Sequence, residues 1–177
     1  MAPMVSTPLE AAEFVDQARG FGLRTVGAMV EVPAAALRAE RLLRSCDFVS
    51  IGTNDLAQYI MAADRMEAAL ADLLDTWQPA LLDLVAAVAE GGRRTGRPVG
   101  VCGEAASDPL LALVLVGLGA TSLSMSASSL PSVRRALAAH TLEQCREMAG
   151  AVRDADDAAS ARAAVRRLVD PDLLALL

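Results

Sequence analysis

Four short apolar runs, each followed by a segment of helical character, constrain this chain more than any other feature. The runs are "RTVGAMVE", "DFVSIGT", "RPVGVCG" and "TSLSMS". Each is bounded by turn residues and is too short to be a helix. They read as apolar throughout instead of alternating apolar and polar. Strands of that kind, separated by helices, predict a parallel sheet covered by helices. The opening "MAPMVS" is a candidate for one more strand.

The helices announce their ends. Thr7, Pro8 and Glu10 form a capping-box start for a helix reaching about Gly20. Pro33 opens "PAAALRAERLLRS", and "NDLAQYIMAA" follows the second strand at once. A polar, acidic helical stretch then leads into the long helix "QPALLDLVAAVAEGGRRTG". Asp108 and Pro109 cap and open "PLLALVLVGLG", and "LPSVRRALAA" follows the last strand. From about Thr141 the chain turns all-helical. Thr141 and Gln144 make another capping box, and "DADDAASARAAVRRLVD" reads as a polar helix hairpin.

Composition removes several function classes. Aromatics are 3% of the 177 residues, too few for base-stacking platforms. The net charge of −6 and the short basic clusters "GGRRTGR" and "VRR" argue against nucleic-acid binding. No charge occurs between Pro109 and Val133, yet the apolar part "LLALVLVGLG" is about half of the roughly 20 residues that a membrane span needs. The N-terminus lacks the basic and apolar regions of a signal peptide. Cys46, Cys102 and Cys145 follow neither metal nor disulfide spacing, so a cytoplasmic location is expected.

Polar groups collect where the strands stop. The run ends hold Glu31; Thr53, Asn54 and Asp55; Cys102, Gly103 and Glu104; and Ser124 and Ser126. Parallel α/β folds bind ligands at the carboxyl ends of their strands, and (β/α)8 barrels carry their active sites there. Asn54 and Asp55 are also eligible as helix N-caps. Glu31 is less so, because Pro33 already starts the next helix. Two carboxylates on neighbouring strand tops, completed by water and substrate phosphate, are a common way to hold Mg2+. Glu31 and Asp55 are therefore candidate metal ligands.

Cys102 is flanked by glycines that let a ligand approach closely. An ordinary thiol is mostly protonated at neutral pH, so Cys102 is a candidate proton donor as well as a nucleophile, or else a small core residue. Arg65 follows the "TNDL" helix by about a turn. It is placed either to fold back onto a carboxylate or phosphate, or to stand as a surface arginine. Cys46 and Cys145 read as packing residues, and His140 as structural or solvated.

The ordered set "GAMVEVPAAA", "DFVSIGTNDLAQY", "AADR", "VGVCGEAASDP" and "SLSMSASSLP" resembles the barrel of the phosphoenolpyruvate-utilising enzymes. Among these, "SMSA" and "WQPALLDL" favour enzyme I of the sugar phosphotransferase system. Dikinase and synthase relatives, which share "GTNDL" and "CGE" type motifs, are the alternative. A non-catalytic binding or oligomerisation module is the alternative from another class.

The resemblance implies the C-terminal part, about five strands, of a (β/α)8 barrel over residues 1–140, with helices over 141–177 packed on it. It implies Mg2+ held by Glu31 and Asp55, and substrate held by Asn54, Asp55 and Arg65. Cys102 would be the acid that protonates C3 of pyruvate's enolate. It further implies transfer of phosphate from phosphoenolpyruvate to an enzyme histidine, a homodimer, and a phosphocarrier protein as partner through missing N-terminal domains. His140 does not match the family's phosphorylatable histidine, and the arginines of the family's earlier strands have no counterpart. The chain is thus expected to be either a fragment of a longer protein or a degenerate relative, inactive alone, with a barrel-facing side that is apolar and uncovered.

Overall fold

Each apolar run becomes a strand, and each strand pairs with the one before it in the chain. The computed structural model describes residues 1–174. The first half holds α1 Pro8–Gly20, β1 Gly27–Val30, α2 Pro33–Leu37, α3 Ala39–Leu43, β2 Phe48–Gly52, α4 Thr53–Ile60 and a 3-10 helix Ala68–Leu74. Next come α5 Pro79–Thr95, β3 Val99–Cys102, α6 Glu104–Ser107, α7 Pro109–Leu118 and β4 Ser122–Leu123. The chain ends in α8 Leu130–Ala138, α9 Leu142–Arg153, α10 Ala158–Leu168 and α11 Pro171–Leu174. Residues 175–177 of the expected helical extension lie outside the described residues.

The sheet order is β1-β2-β3-β4, and every pairing is parallel. Val30 pairs with Ile51, Ile51 with Val101, and Val101 with Leu123, so the strand tops lie level. "MAPMVS" gives a bridge instead of a fifth full strand. Ala2 donates to the Gly27 carbonyl at 3.0 Å and accepts from Met29 N–H at 2.7 Å. The ladder stops there because Pro3 has no N–H and Met4 turns away at φ 52°.

Alternate strand residues face the helices and form the core. Val30, Val49, Ile51, Val99 and Val101 are buried, as are Leu81, Leu82, Val85 and Val88 of α5. Each fully buried side chain of this kind contributes about 1.5–3 kcal/mol. The expected helix over 33–45 breaks at Arg38, where φ −112° and ψ 17° leave helical space. The break lets both halves pack on α5, with Ala35 and Ala36 buried on one and Leu42 and Leu43 on the other.

The uncharged segment is a core helix. Leu110 to Leu115 are all buried in α7, which packs against α5, α6, α8 and α9. No helix among the described residues is long and apolar enough to cross a membrane. The polar terminal hairpin forms between α9 and α10, not within residues 154–170 alone. Arg162 of α10 pairs with Asp75 at 3.1 Å and lies 5.4 Å from the ring centre of buried Trp77.

Candidate functional site

The other face of the strands is not the apolar surface expected from the sequence. By strand alternation and register it carries Gly27, Met29, Phe48, Ser50, Gly52, Gly100, Cys102, Ser122 and Ser124. Small residues are covered by larger neighbours. A Cβ on Gly27 would lie 2.6 Å from the Phe48 ring, and one on Gly100 would lie 2.9 Å from Ser122 Oγ. Glycine, serine and cysteine score as apolar or neutral in a short run, which hid the alternation.

Glu31 continues this face just past the end of β1. It is 8% exposed, and its Oε2 accepts from Met4 N–H at 2.9 Å. The rest of the side chain lies across Gly52. A Cβ there would come 2.6 Å from both Cγ and Oε1 of Glu31. Gly52 is also the N-cap of α4 and supplies no capping side chain. The first-turn N–H groups of α4 are therefore left without a side-chain cap, next to Glu31's negative charge.

Asp55 lies in that first turn, and Asn54 and Asp55 do not cap their own helix. Arg65 returns toward it after a left-handed turn at Ala62, φ 49°, and its Nη1 reaches Asp55 Oδ1 at 3.5 Å. Asn54 Oδ1 accepts from Glu104 N–H at 3.1 Å, which leaves its amide N–H groups without a partner among the described residues. Cys102 is half-buried, and its thiol donates to the Ile51 carbonyl at 3.4 Å. Thr53 Oγ1 donates to the Cys102 carbonyl at 2.9 Å. Glu31, Asn54, Asp55 and Cys102 thus stand at the ends of three neighbouring strands, and Arg65 reaches Asp55 from the segment after α4.

Beside them is an open depression of about 430 Å3, lined by Asn54, Glu104, Ser107, Ser124 and Ser126. A larger cleft, about 600 Å3, lies between the 3-10 helix and α10 and is lined by residues such as Asp72, Asp157 and Arg166, none of them at a strand top.

The residues read as structural behave so. Cys46 and Cys145 are buried, and burial pushes both thiols above their ordinary range. His140 Nδ1 lies 2.9 Å from the Ala136 carbonyl, and Nε2 accepts from Asp170 N–H at 3.4 Å. No group of three or more His, Cys, Asp and Glu residues suited to a metal occurs among the described residues. Sequence reasoning counted Thr53 only among the polar groups at the strand ends and gave no role to Gly52. A glycine at a helix start that lacks a capping side chain was the available signal.

The family described as PEP-utilising enzyme, PEP-binding domain, matches residues 4–142. A phosphoenolpyruvate-protein phosphotransferase of Streptomyces coelicolor is 57% identical over 170 residues, 96% of this chain and 31% of that protein. One from Cupriavidus necator is 42% identical over 146 residues, 82% of this chain and 25% of that protein. The chain therefore spans between a quarter and a third of the length of these curated relatives. Among solved structures, a citrate lyase from Burkholderia xenovorans matches with a TM-score of 0.56 and 17% identity, over 99% of this chain and 66% of that one. That likeness concerns the fold, part of a (β/α)8 barrel.

Proposed function

The chain belongs to the PEP-utilising enzymes through their PEP-binding domain, and on that premise we propose that it is the C-terminal, substrate-binding portion of an enzyme I-type phosphotransferase. The observation that carries the reading is the buried Glu31 carboxylate, set against Gly52 at the uncapped start of α4, the helix whose first turn bears Asp55. An uncapped helix start favours an anion. Two carboxylates and an anionic substrate at one place then call for a cation.

The donor set fits Mg2+. Glu31 has no basic partner among the described residues, and Asp55 has only the 3.5 Å contact with Arg65. Glu31 and Asp55 would hold the ion. Bound there, it would neutralise charge on the phosphate in transfer. The Asn54 amide and the first N–H groups of α4 would hold the substrate's anionic oxygens. Arg65 would exchange its carboxylate partner for phosphate.

Transfer breaks the bond between phosphorus and the enol oxygen and forms one to a histidine nitrogen elsewhere in a longer protein. The electron pair left on the substrate makes C3 basic, and the Cys102 thiol would give it a proton. In the same reading the histidine hands its phosphate to a phosphocarrier protein for sugar transport. The setting would be the cytoplasm and the assembly a homodimer.

The test replaces the 170 aligned residues of the Streptomyces relative with this chain's. The chimera is expected to become phosphorylated by phosphoenolpyruvate in the presence of Mg2+. Its Cys102→Ala form is expected to lose solvent exchange at C3 of pyruvate while still binding Mn2+. A folded chimera that takes up no phosphate would overturn the transferase reading. Unchanged exchange in Cys102→Ala would overturn the acid role alone.

A further inference from the structure

Thr53 is fully buried, at 0% exposure, yet it carries a hydroxyl. Valine has nearly the same shape, so filling the space does not require that group. A buried hydroxyl costs free energy unless it is bonded. Here the bond, 2.9 Å to the Cys102 carbonyl, crosses from the first turn of α4 to the end of β3. The next residue repeats the crossing, since Asn54 accepts from Glu104 N–H. Gly103 lies against both. At φ 93°, a Cβ on it would come 2.7 Å from Thr53 Oγ1 and 2.7 Å from Asn54 Oδ1. Two hydrogen bonds and one close backbone approach therefore join the turn that bears Asp55 to the strand end that bears Cys102.

We propose that Thr53 is a positioning residue whose hydroxyl sets the Cys102 thiol relative to the Asn54–Asp55 turn. The proposal rests on the roles assigned above to Asp55 and Cys102. Without the bond, the Cys102 carbonyl loses its link to α4, and the junction between α4 and β3 is left with the Asn54 bond to Glu104 N–H. The thiol and the ligand-holding turn then no longer keep a fixed separation, which proton delivery to a bound substrate requires.

The experiment uses the chain itself and iodoacetamide, with peptide mass spectrometry reporting each cysteine. Cys46 and Cys145 are 0% and 2% exposed and serve as internal monitors of global unfolding. Thr53→Val is expected to raise the Cys102 alkylation rate at least fivefold while both monitors stay unlabelled. Thr53→Ser restores the hydroxyl and is expected to stay within twofold of wild type. Mn2+ binding, followed by electron paramagnetic resonance, is expected to weaken at least fivefold in Thr53→Val and to recover in Thr53→Ser.

A general loss of stability would label all three cysteines together and would not separate serine from valine. If Thr53→Val labels all three, Gly103→Ala decides, because it strains the same contact from the other side. A wild-type Cys102 rate in that variant, or in folded Thr53→Val, overturns the proposal. Wild-type protein that binds no Mn2+ overturns the metal reading and leaves the cysteine comparison intact.

Discussion

Glu31 keeps its place through a residue that has no side chain. Gly52 gives the carboxylate a floor, and any Cβ there would meet Cγ and Oε1 of Glu31 at 2.6 Å. Gly52→Ala must therefore push Glu31 off its seat. Overpacking of this kind costs about 1–3 kcal/mol. The variant is expected to remain folded, to lose that much in urea unfolding, and to bind Mn2+ far more weakly than wild type. Full Mn2+ affinity in Gly52→Ala would mean that Glu31 is not a ligand. Trp77 offers a contrast, because its polar contact is with a helix cap and not with a candidate ligand. Its indole N–H donates to Asp108 Oδ2 at 2.9 Å, while Asp108 Oδ1 caps α7 at Leu110 and Leu111. Hydrogen bonds to charged groups contribute about 1.5–3 kcal/mol. Trp77→Phe is expected to lose an amount in that range in urea unfolding followed by circular dichroism, with Mn2+ binding unchanged.

At the scale of elements, what was legible followed local rules. The capping boxes at Thr7–Glu10 and Thr141–Gln144 form as read, because side chains three residues apart decide them. Thr141→Ala is expected to cost about 1 kcal/mol, seen in urea unfolding. The break at Arg38 and the shortness of β4 were not legible, since packing on neighbouring elements sets both. The candidate residues were legible as strand ends, but the Thr53 and Gly52 contacts were not, because their partners are distant in sequence. Asp47 is a joint of this non-local kind. It accepts from Val26 N–H at 2.9 Å and from Arg19 at 3.2 Å, with Arg97 at 3.5 Å. The Val26 N–H, then the Arg19 guanidinium, hold its carboxyl below the usual aspartate range against some desolvation. A carboxyl lowered in the folded state stabilises above the unfolded value, near ~3.9, and that contribution is lost as pH falls through the folded value. Thermal unfolding should therefore show a gap between wild type and Asp47→Asn at pH 7 that closes as the pH is taken below about 4. A constant gap would assign the effect to packing.

The whole molecule is an open section of a barrel, and the chemistry of its open face decides how it behaves in water. An apolar face left uncovered would force association. The residues on that face are instead mostly Gly, Ser and Cys, with Phe48 and Met29 the large apolar ones. Open sheet edges are the second route to association, and here both are blunt. On one side Ala2 makes a bridge and Pro3 follows it; on the other β4 spans only Ser122–Leu123. Short edges and proline are the usual protections against strand addition. The exposed large apolar residues are spread over many elements and connections, from Leu9 in α1 and Phe21 after it to Met66, Leu130 in α8 and Leu168 in α10. The chain is therefore expected to stay soluble and to associate only into a closed, small assembly such as the proposed dimer. Light scattering across a hundredfold range of concentration checks this. The mass should level off at one or two chains. Mass that keeps growing with concentration, together with rising β-sheet signal in circular dichroism, would show that the edges recruit strands despite their length.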